Sequence, residues 1–186
     1  RCPGLVVVPP RYDRYLELSH QVRELYLQYT DQVEPFGLDE SWLDVGGSAA
    51  LFGDGRQIAD ILRRRVRGEL GLTVSVGVSF NKVFAKLGSD YKKPDAITQI
   101  DQSNYREIVY PLPVEDLLYV GPATSKKLRT IGISTIGRLA ECPEDVLQHR
   151  LGKMGLVLSM FAKGLDVSPV QKTNHIPSIK SVGIVR

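Results

Sequence analysis

Cysteine is scarce in this 186-residue chain, which contains only Cys2 and Cys142, far apart in sequence. Neither belongs to a CxxC pair or a cysteine and histidine cluster, so a disulfide scaffold and a zinc finger are both excluded. Long apolar runs are also missing: none approaches the roughly 18 to 20 residues of a membrane helix, and the first residues lack the pattern of a signal peptide. We therefore expect a cytoplasmic protein without a membrane partner.

The composition is that of an ordinary globular protein and not of a disordered one, with 42% hydrophobic and 24% charged residues. The net charge is only +3, but it is unevenly placed. Residues 101–186 carry 11 lysines and arginines against 8 acidic residues, whereas residues 1–100 carry 13 of each. The C-terminal part is therefore the better candidate for a surface that binds a polyanion.

Strand and helix patterns alternate through residues 1–100. They predict a strand at 5–8, a helix at 13–30, two strands between 33 and 45, a helix at 56–70, a strand at 72–78, a helix at 81–91 and a strand at 96–100. This order predicts an α+β layer in which helices cover one face of a mainly antiparallel sheet.

Helix signals dominate after Ile100 and indicate a separate all-helical domain. Short helices, joined by turns that contain glycine or proline, are expected at 114–118, 124–131, 135–142, 144–151 and 154–163. We predict an α+β domain over 1–100, a helical domain over 101–171, and a linker over 172–186 that leads into a further domain.

An acidic doublet, Asp39-Glu40, stands between apolar residues where the sequence predicts strands. Burying a carboxylate removes its hydration, which is costly in free energy unless a cation or other partners compensate the charge. Proteins hold Mg²⁺ with one or two carboxylates together with substrate phosphates, so the doublet is a candidate metal site. Taken alone, it also fits a hairpin turn whose acids face water. Asp44, a little further on, is interpreted as a satisfied or solvated strand residue.

A strand-to-helix junction over 77–94 is the second candidate site. Ser79 and Asn81 lead into a predicted helix, whose first N–H groups and positive dipole end attract phosphate. Lys93 stands beside Pro94, where a rigid turn could aim its amine at a phosphate. The alternative is a charged helix on a solvated face.

A glycine-containing hairpin over 120–133 is the third candidate site, because it joins two predicted helices. Main-chain amides and lysines at the start of the second helix can bind a backbone phosphate without reading sequence. The pattern is typical of a helix-hairpin-helix, and it also occurs in plain helix connectors. The candidate DNA-binding residues are Gly121, Ala123, Thr124, Lys126 and Lys127.

The order and spacing of these three motifs resemble the Y-family translesion DNA polymerases over essentially the whole chain. The family's acidic pair and the aromatic-Leu-Asp after it match Asp39, Glu40, Trp42, Leu43 and Asp44. Its Gly-x-Ser-x-Asn-Lys-x-x-Ala-Lys segment and later Lys-Pro match Gly77, Ser79, Asn81, Lys82, Ala85, Lys86, Lys93 and Pro94. The segment 180–183 resembles the start of the family's little-finger domain. Gly37, Ser41-Trp42 and Ala123 depart from the family's usual residues.

The resemblance implies a palm-like antiparallel sheet followed by a small helical thumb, and the addition of deoxynucleotides to a primer 3′ end on damaged DNA. Two Mg²⁺ ions would be the cofactors, with Asp39 as the shared carboxylate and Glu40 as a ligand or orienter. Lys93, with Ser79 and Asn81, would bind the deoxynucleoside triphosphate. The hairpin would hold primer-template DNA.

The family's fingers and its first strand, with another metal-binding aspartate and a steric gate, lie upstream of anything that matches Arg1. We therefore expect little or no polymerase activity from residues 1–186 alone. Whether a sliding clamp binds is left open, because the relevant regions lie outside this sequence. The alternative function, from another class, is a non-catalytic module that binds DNA independently of sequence.

Overall fold

The computed structural model describes residues 2–173; the predicted linker lies outside them from residue 174 onward. The strands are β1 (Val33–Pro35), β2 (Ser41–Leu43), β3 (Val76–Ser79) and β4 (Ile97–Ile100). The α-helices are α1 (Tyr12–Leu27), α2 (Ala49–Phe52), α3 (Gly55–Leu70), α4 (Lys82–Tyr91), α5 (Tyr105–Val109), α6 (Pro122–Arg129), α7 (Ile136–Glu141), α8 (Glu144–Leu151) and α9 (Lys153–Ala162). None of the helices in residues 2–173 combines the length and the apolar character that a bilayer span requires.

The strands form two separate pairs. β1 and β2 are antiparallel, with Glu34 opposite Trp42. β3 and β4 are parallel, because α4 connects them as a crossover and returns the chain in the same direction. The α+β class and the helical second half are confirmed, and the antiparallel pairing expected of the sheet holds for β1 and β2 only.

Local signals explain where the long helices begin and end. Asp54 and Gln57 form a reciprocal capping box at the start of α3, and Gly71 ends that helix in the left-handed region at φ +66°. Asn81 caps α4, because its side chain accepts a hydrogen bond from the amide of Phe84 at 2.8 Å. These caps place both helices within one residue of their predicted starts.

The strand predicted at 5–8 is wrong. The four apolar side chains of this segment are exposed, at 69–83% of their surface, and the segment pairs with no described strand. A β-branched run becomes a strand only where a neighbouring edge and a packed face support it. The sequence reading also missed α2 and α5, which are only four and five residues long.

One hydrophobic cluster joins the two halves of the chain. It contains α4 and β4 side chains together with side chains of the helical part, among them Val83, Phe84, Leu87, Ile100, Leu128, Ile136, Leu139, Leu147 and Leu158. α1 and α3 bury Leu25, Ile58, Leu62 and Val66 outside this cluster. Since packing is continuous across Ile100, the domain boundary at that residue stays a prediction.

Candidate functional site

A cleft of about 860 Å³ lies between β2 and β3, which are not paired with each other. All residues of both strands line it, together with side chains of α1, α3 and α4. In the α1 wall, burial raises the pKa of Tyr26 to about 12. The structure brings together here every residue predicted for catalysis or nucleotide binding, namely Asp39, Glu40, Ser79, Asn81 and Lys93.

The acidic doublet lies in the hairpin between β1 and β2 and not within a strand. The amide of Phe36 donates to the carbonyl of Glu40 at 2.8 Å, and Gly37 adopts φ +83°, which favours glycine. Because the doublet is outside the strands, the alternation that would send neighbouring side chains to opposite faces does not apply. Asp39 is exposed and makes no side-chain hydrogen bond within residues 2–173.

A chain of ion pairs links the hairpin to the turn after α4. Glu40 pairs with Lys86 at 2.8 Å, Lys86 pairs with Asp90 at 2.6 Å, and Asp90 pairs with Lys93 at 2.5 Å. Burial acts to raise the pKa of Asp90, but hydrogen bonds from Lys86 and Lys93 outweigh it and hold that pKa below its ordinary value. Burial likewise acts to lower the pKa of Lys86, which its two carboxylate partners raise overall.

Ser79 and Asn81 differ in what their side chains already contact. The side-chain amide of Asn81 donates to the carbonyl of Gly164 at 3.1 Å, while its oxygen caps α4. Ser79 ends β3, and its hydroxyl is buried without a partner in the described residues. Asn81 therefore ties α4 to the chain after α9, whereas the buried hydroxyl of Ser79 has no hydrogen-bond partner within residues 2–173.

Lys82 fixes the start of α4 against the hairpin, a contact that the sequence reasoning missed. Its amine pairs with both carboxylate oxygens of Glu34, at 2.7 and 2.8 Å, and lies 4.4 Å from the centre of the Trp42 ring. The indole of Trp42 donates to the carbonyl of Lys82 at 3.0 Å. The hairpin register places Glu34 opposite Trp42, but nothing in the sequence pattern links this pair to Lys82. Lys86 and Asp90 were missed as well, although their spacing of four residues is typical of a helical ion pair.

The five candidate DNA-binding residues lie together at the start of α6. Before it, the first helix of the predicted hairpin is only the 3₁₀ turn Val114–Asp116. Lys126 and Lys127 are exposed and make no ion pair within residues 2–173. Nearby, Arg129 pairs with Glu115 at 2.6 Å. The two lysines therefore keep their charges available to an anion.

The carboxylates fit part of a metal site. Asp39 and Glu40 supply oxygen atoms, the ligand type that Mg²⁺ prefers. In residues 2–173, no three His, Cys, Asp or Glu side chains come close enough to form a metal site by themselves. Asp44 is engaged elsewhere, because its carboxylate accepts from the amide of Gly46 at 2.9 Å, as expected for a satisfied residue. Further ligands would have to come from a substrate, from water or from other parts of the protein.

Comparison with known proteins gives consistent matches along the chain. The model of the impB/mucB/samB family matches residues 1–90, and the model described as the thumb domain of DNA polymerase-iota matches residues 115–166. DNA polymerase IV of Acetivibrio thermocellus is 55% identical over 183 residues, which are 98% of this chain and 46% of that protein. DNA polymerase IV of Ralstonia nicotianae is 44% identical over 179 residues, 96% of this chain and 50% of that protein.

Among solved structures, DinB from Sulfolobus solfataricus has a TM-score of 0.81 and 25% identity to this chain, over 91% of this chain and 50% of that one. The chain thus spans about half the length of the proteins that it matches. The two domain matches and the similarity to DNA polymerase IV over nearly all its residues together support a DinB-like fragment of a Y-family DNA polymerase.

Proposed function

We propose that the chain is the palm and thumb part of a translesion DNA polymerase, which adds deoxynucleotides to a primer 3′ end on damaged DNA. The palm would comprise residues 1–100 and the thumb residues 101–171, followed by a linker and the start of a little-finger domain. We place the protein in the cytoplasm. The observation that carries the proposal is the single cleft that gathers the acidic hairpin and Lys93.

In this proposal Asp39 and Glu40 would hold two Mg²⁺ ions together with the substrate phosphates. The bound ions would activate the primer hydroxyl and neutralise charge on the triphosphate. Lys86 pairs with the carboxylate of Glu40 and so holds it close to α4. Lys93 binds the triphosphate of the incoming deoxynucleotide as a compact cation, and Ser79 contributes its hydroxyl at the same wall of the cleft.

The gap between β2 and β3 supports a palm that one further strand completes. Within residues 2–173, each of these strands has a partner on one side only, and unpaired strand edges readily accept another strand. We propose that the family's first strand, outside residues 1–186, pairs in this gap and adds the other metal-binding aspartate. Residues 1–186 would then be necessary for catalysis and insufficient alone.

The thumb would hold primer-template DNA by contacts to the sugar-phosphate backbone of the DNA. Main-chain amides from Gly121 to Thr124 and the amines of Lys126 and Lys127 would contact phosphates, which fixes the position of the duplex without reading its sequence.

The test is primer extension by the full-length protein and by its Asp39→Ala variant. We expect the variant to lose about 100-fold or more in rate, because metal-ion stabilisation of transition-state charge is worth several kcal/mol. Asp13→Ala, at an exposed aspartate in the first turn of α1, is the control and should keep the parent rate. Equal rates for the Asp39 variant and the parent would remove Asp39 from the metal site.

A non-catalytic DNA-binding module is the second candidate, and it applies chiefly to residues 1–186 alone. It is favoured by the lack of any three-residue metal cluster within residues 2–173. Duplex binding by the full-length protein without any primer extension would support this function over the polymerase. Robust extension by the 186-residue chain would contradict our account of the missing strand.

A further inference from the structure

The turn that carries Lys93 is anchored at its far end by Asp95. One carboxylate oxygen of Asp95 accepts from Arg63 at 3.0 Å, and the other accepts from Arg67 at 2.8 Å. Both arginines lie on α3, one helical turn apart, and Arg63 also contacts Asp60 at 3.2 Å. The Asp95 side chain is only 18% exposed, so water shields these ion pairs less than a surface pair.

The backbone of Asp95 also fixes the end of this turn. Its φ is +53°, in the left-handed region, which aspartate and asparagine tolerate better than other residues with a side chain. The next residue, Ala96, already accepts a hydrogen bond from the amide of Val76 at 2.8 Å and leads into β4. Asp95 therefore joins three parts of the fold: the turn, α3 and the parallel strand pair.

Lys93 itself has little packing to hold it. Its side chain is 53% exposed, and its described ion-pair partner is Asp90, at the end of α4. The backbone at 92–96 therefore sets how far its amine reaches into the cleft. Asp95 also lines the cleft, where an unpaired carboxylate would repel a triphosphate; the two guanidinium groups compensate that charge.

We propose that Arg63, Arg67 and Asp95 form a clamp that positions Lys93 for the triphosphate of the incoming nucleotide. The inference rests on the proposed polymerase function and assigns Asp95 as a positioning residue. Loss of the clamp loosens the turn, so the amine spends less time where the triphosphate binds. The acidic hairpin lies on other strands and keeps its geometry, so nucleotide binding should weaken more than the chemical step.

The experiment uses the full-length protein and primer extension at varied deoxynucleotide concentration. Asp95→Asn keeps the size of the side chain and its tolerance of positive φ, and it removes the charge. We expect its KM for the deoxynucleotide to rise about fivefold or more, which corresponds to the loss of roughly one ion pair between Asp95 and α3. The value of kcat should change less than about twofold. Arg67→Gln, at a 66% exposed side chain, should change KM in the same direction.

Arg64→Gln is the matched control. Arg64 lies on the same helix and pairs with Asp60, without a contact to Asp95, so KM should stay at the parent value. If the parent extends primers but Asp95→Asn keeps its KM, or loses kcat alone, the clamp is wrong while the proposed function stands. If Asp95→Asn fails to fold, Arg67→Gln decides by the same criterion. A full-length parent that extends no primer overturns the proposed function and the clamp with it.

Discussion

Glu40 and Lys86 form an ion pair of 2.8 Å that ties the acidic hairpin to the middle of α4. The lysine side chain is only 19% exposed, and it shares its charge with Asp90 on the next turn of the helix. Two consecutive acids in a short loop repel each other, and a nearby cation lowers that cost. The direction of the Glu40 carboxylate therefore depends on α4 as much as on the hairpin that carries it.

The ion pairs of Asp90 predict a pH dependence of stability. The pKa of Asp90 is lowered in the folded state. Its ion pairs therefore contribute to the free energy of unfolding above the unfolded pKa of about 4, and this contribution is lost as the pH falls through the folded pKa. The folded pKa of Lys86 is raised, so its contribution is lost only as the pH rises through that value, above about 10.4. The contribution of these ion pairs to the free energy of unfolding should therefore be constant between about pH 4 and about pH 10.4.

Asp90→Asn tests this dependence in the 186-residue chain. We expect the free energy of unfolding to fall by up to about 1 kcal/mol at pH 7, because the carboxylate is half exposed and solvent weakens its ion pairs. Urea unfolding from pH 2 to pH 9 should show this difference shrinking as the pH falls below about 4. A difference that stays constant down to pH 2 would contradict the assignment.

Local patterns in the sequence predicted the helices well, because caps and turns act over a few residues. Asp54 and Asn81 mark helix starts through contacts only three residues away. Partners of a strand are not encoded so locally, and the segment 5–8 has strand composition but no described strand beside it. The positions of Asp39 and Lys93 on one cleft could be expected only through the family resemblance.

Contacts between distant charged residues escaped the sequence reasoning for the same reason. Arg63 and Asp95 are separated by 32 positions, and no periodicity links a helix side chain to the end of a turn. The alternation in the β1–β2 hairpin could have placed Glu34 opposite Trp42, but it does not show that Lys82 reaches both. Such pairs become visible only once the elements have packed.

Gly77 should tolerate no side chain. A Cβ atom there would overlap the carbonyl oxygen of Ala85 and lie 2.6 Å from the amide nitrogen of Ser89, and both are backbone atoms that cannot move aside. We expect Gly77→Ala to lower the free energy of unfolding by about 3 kcal/mol or more. Gly68→Ala is the control, for which we expect a stability change of the opposite sign. No neighbouring atom lies within 4 Å of a Cβ added there, and alanine should stabilise α3 by roughly 0.5–1 kcal/mol. Urea denaturation of both variants checks the pair.

Lys82 should contribute more to stability than an ordinary surface lysine. Replacing it with methionine leaves Glu34, whose side chain is 22% exposed, with only the amide of Gln171 as a described partner. We expect Lys82→Met to cost about 1–3 kcal/mol, the range for a buried hydrogen-bonding group left without its partner. Lys126→Met, at an exposed lysine, should stay within about 0.5 kcal/mol of the parent. Thermal or urea unfolding that gives equal values for both would show that the ion pair is not stabilising.

The exposed lysines of α6 should control the salt dependence of DNA binding. Lys126 and Lys127 have no ion-pair partner within residues 2–173, so each can neutralise a phosphate and release counterions. Each contact contributes roughly −0.9 to the slope of log affinity against log salt, and losing one lysine should flatten that slope by about one unit. Duplex binding should be measured over a salt series for Lys126→Ala and Lys127→Ala in the full 186-residue chain.

Lys172→Ala is the control for that series, because Lys172 pairs with Asp31 at 2.9 Å, on the loop before β1, and lies outside the hairpin. Its slope should equal that of the parent. If both α6 variants also keep the parent's affinity and slope, the two lysines belong to a solvated face and the hairpin has no charge component. If binding depends strongly on DNA sequence, the protein contacts base edges, because phosphate contacts alone carry no sequence information, and the helix-hairpin-helix interpretation is wrong.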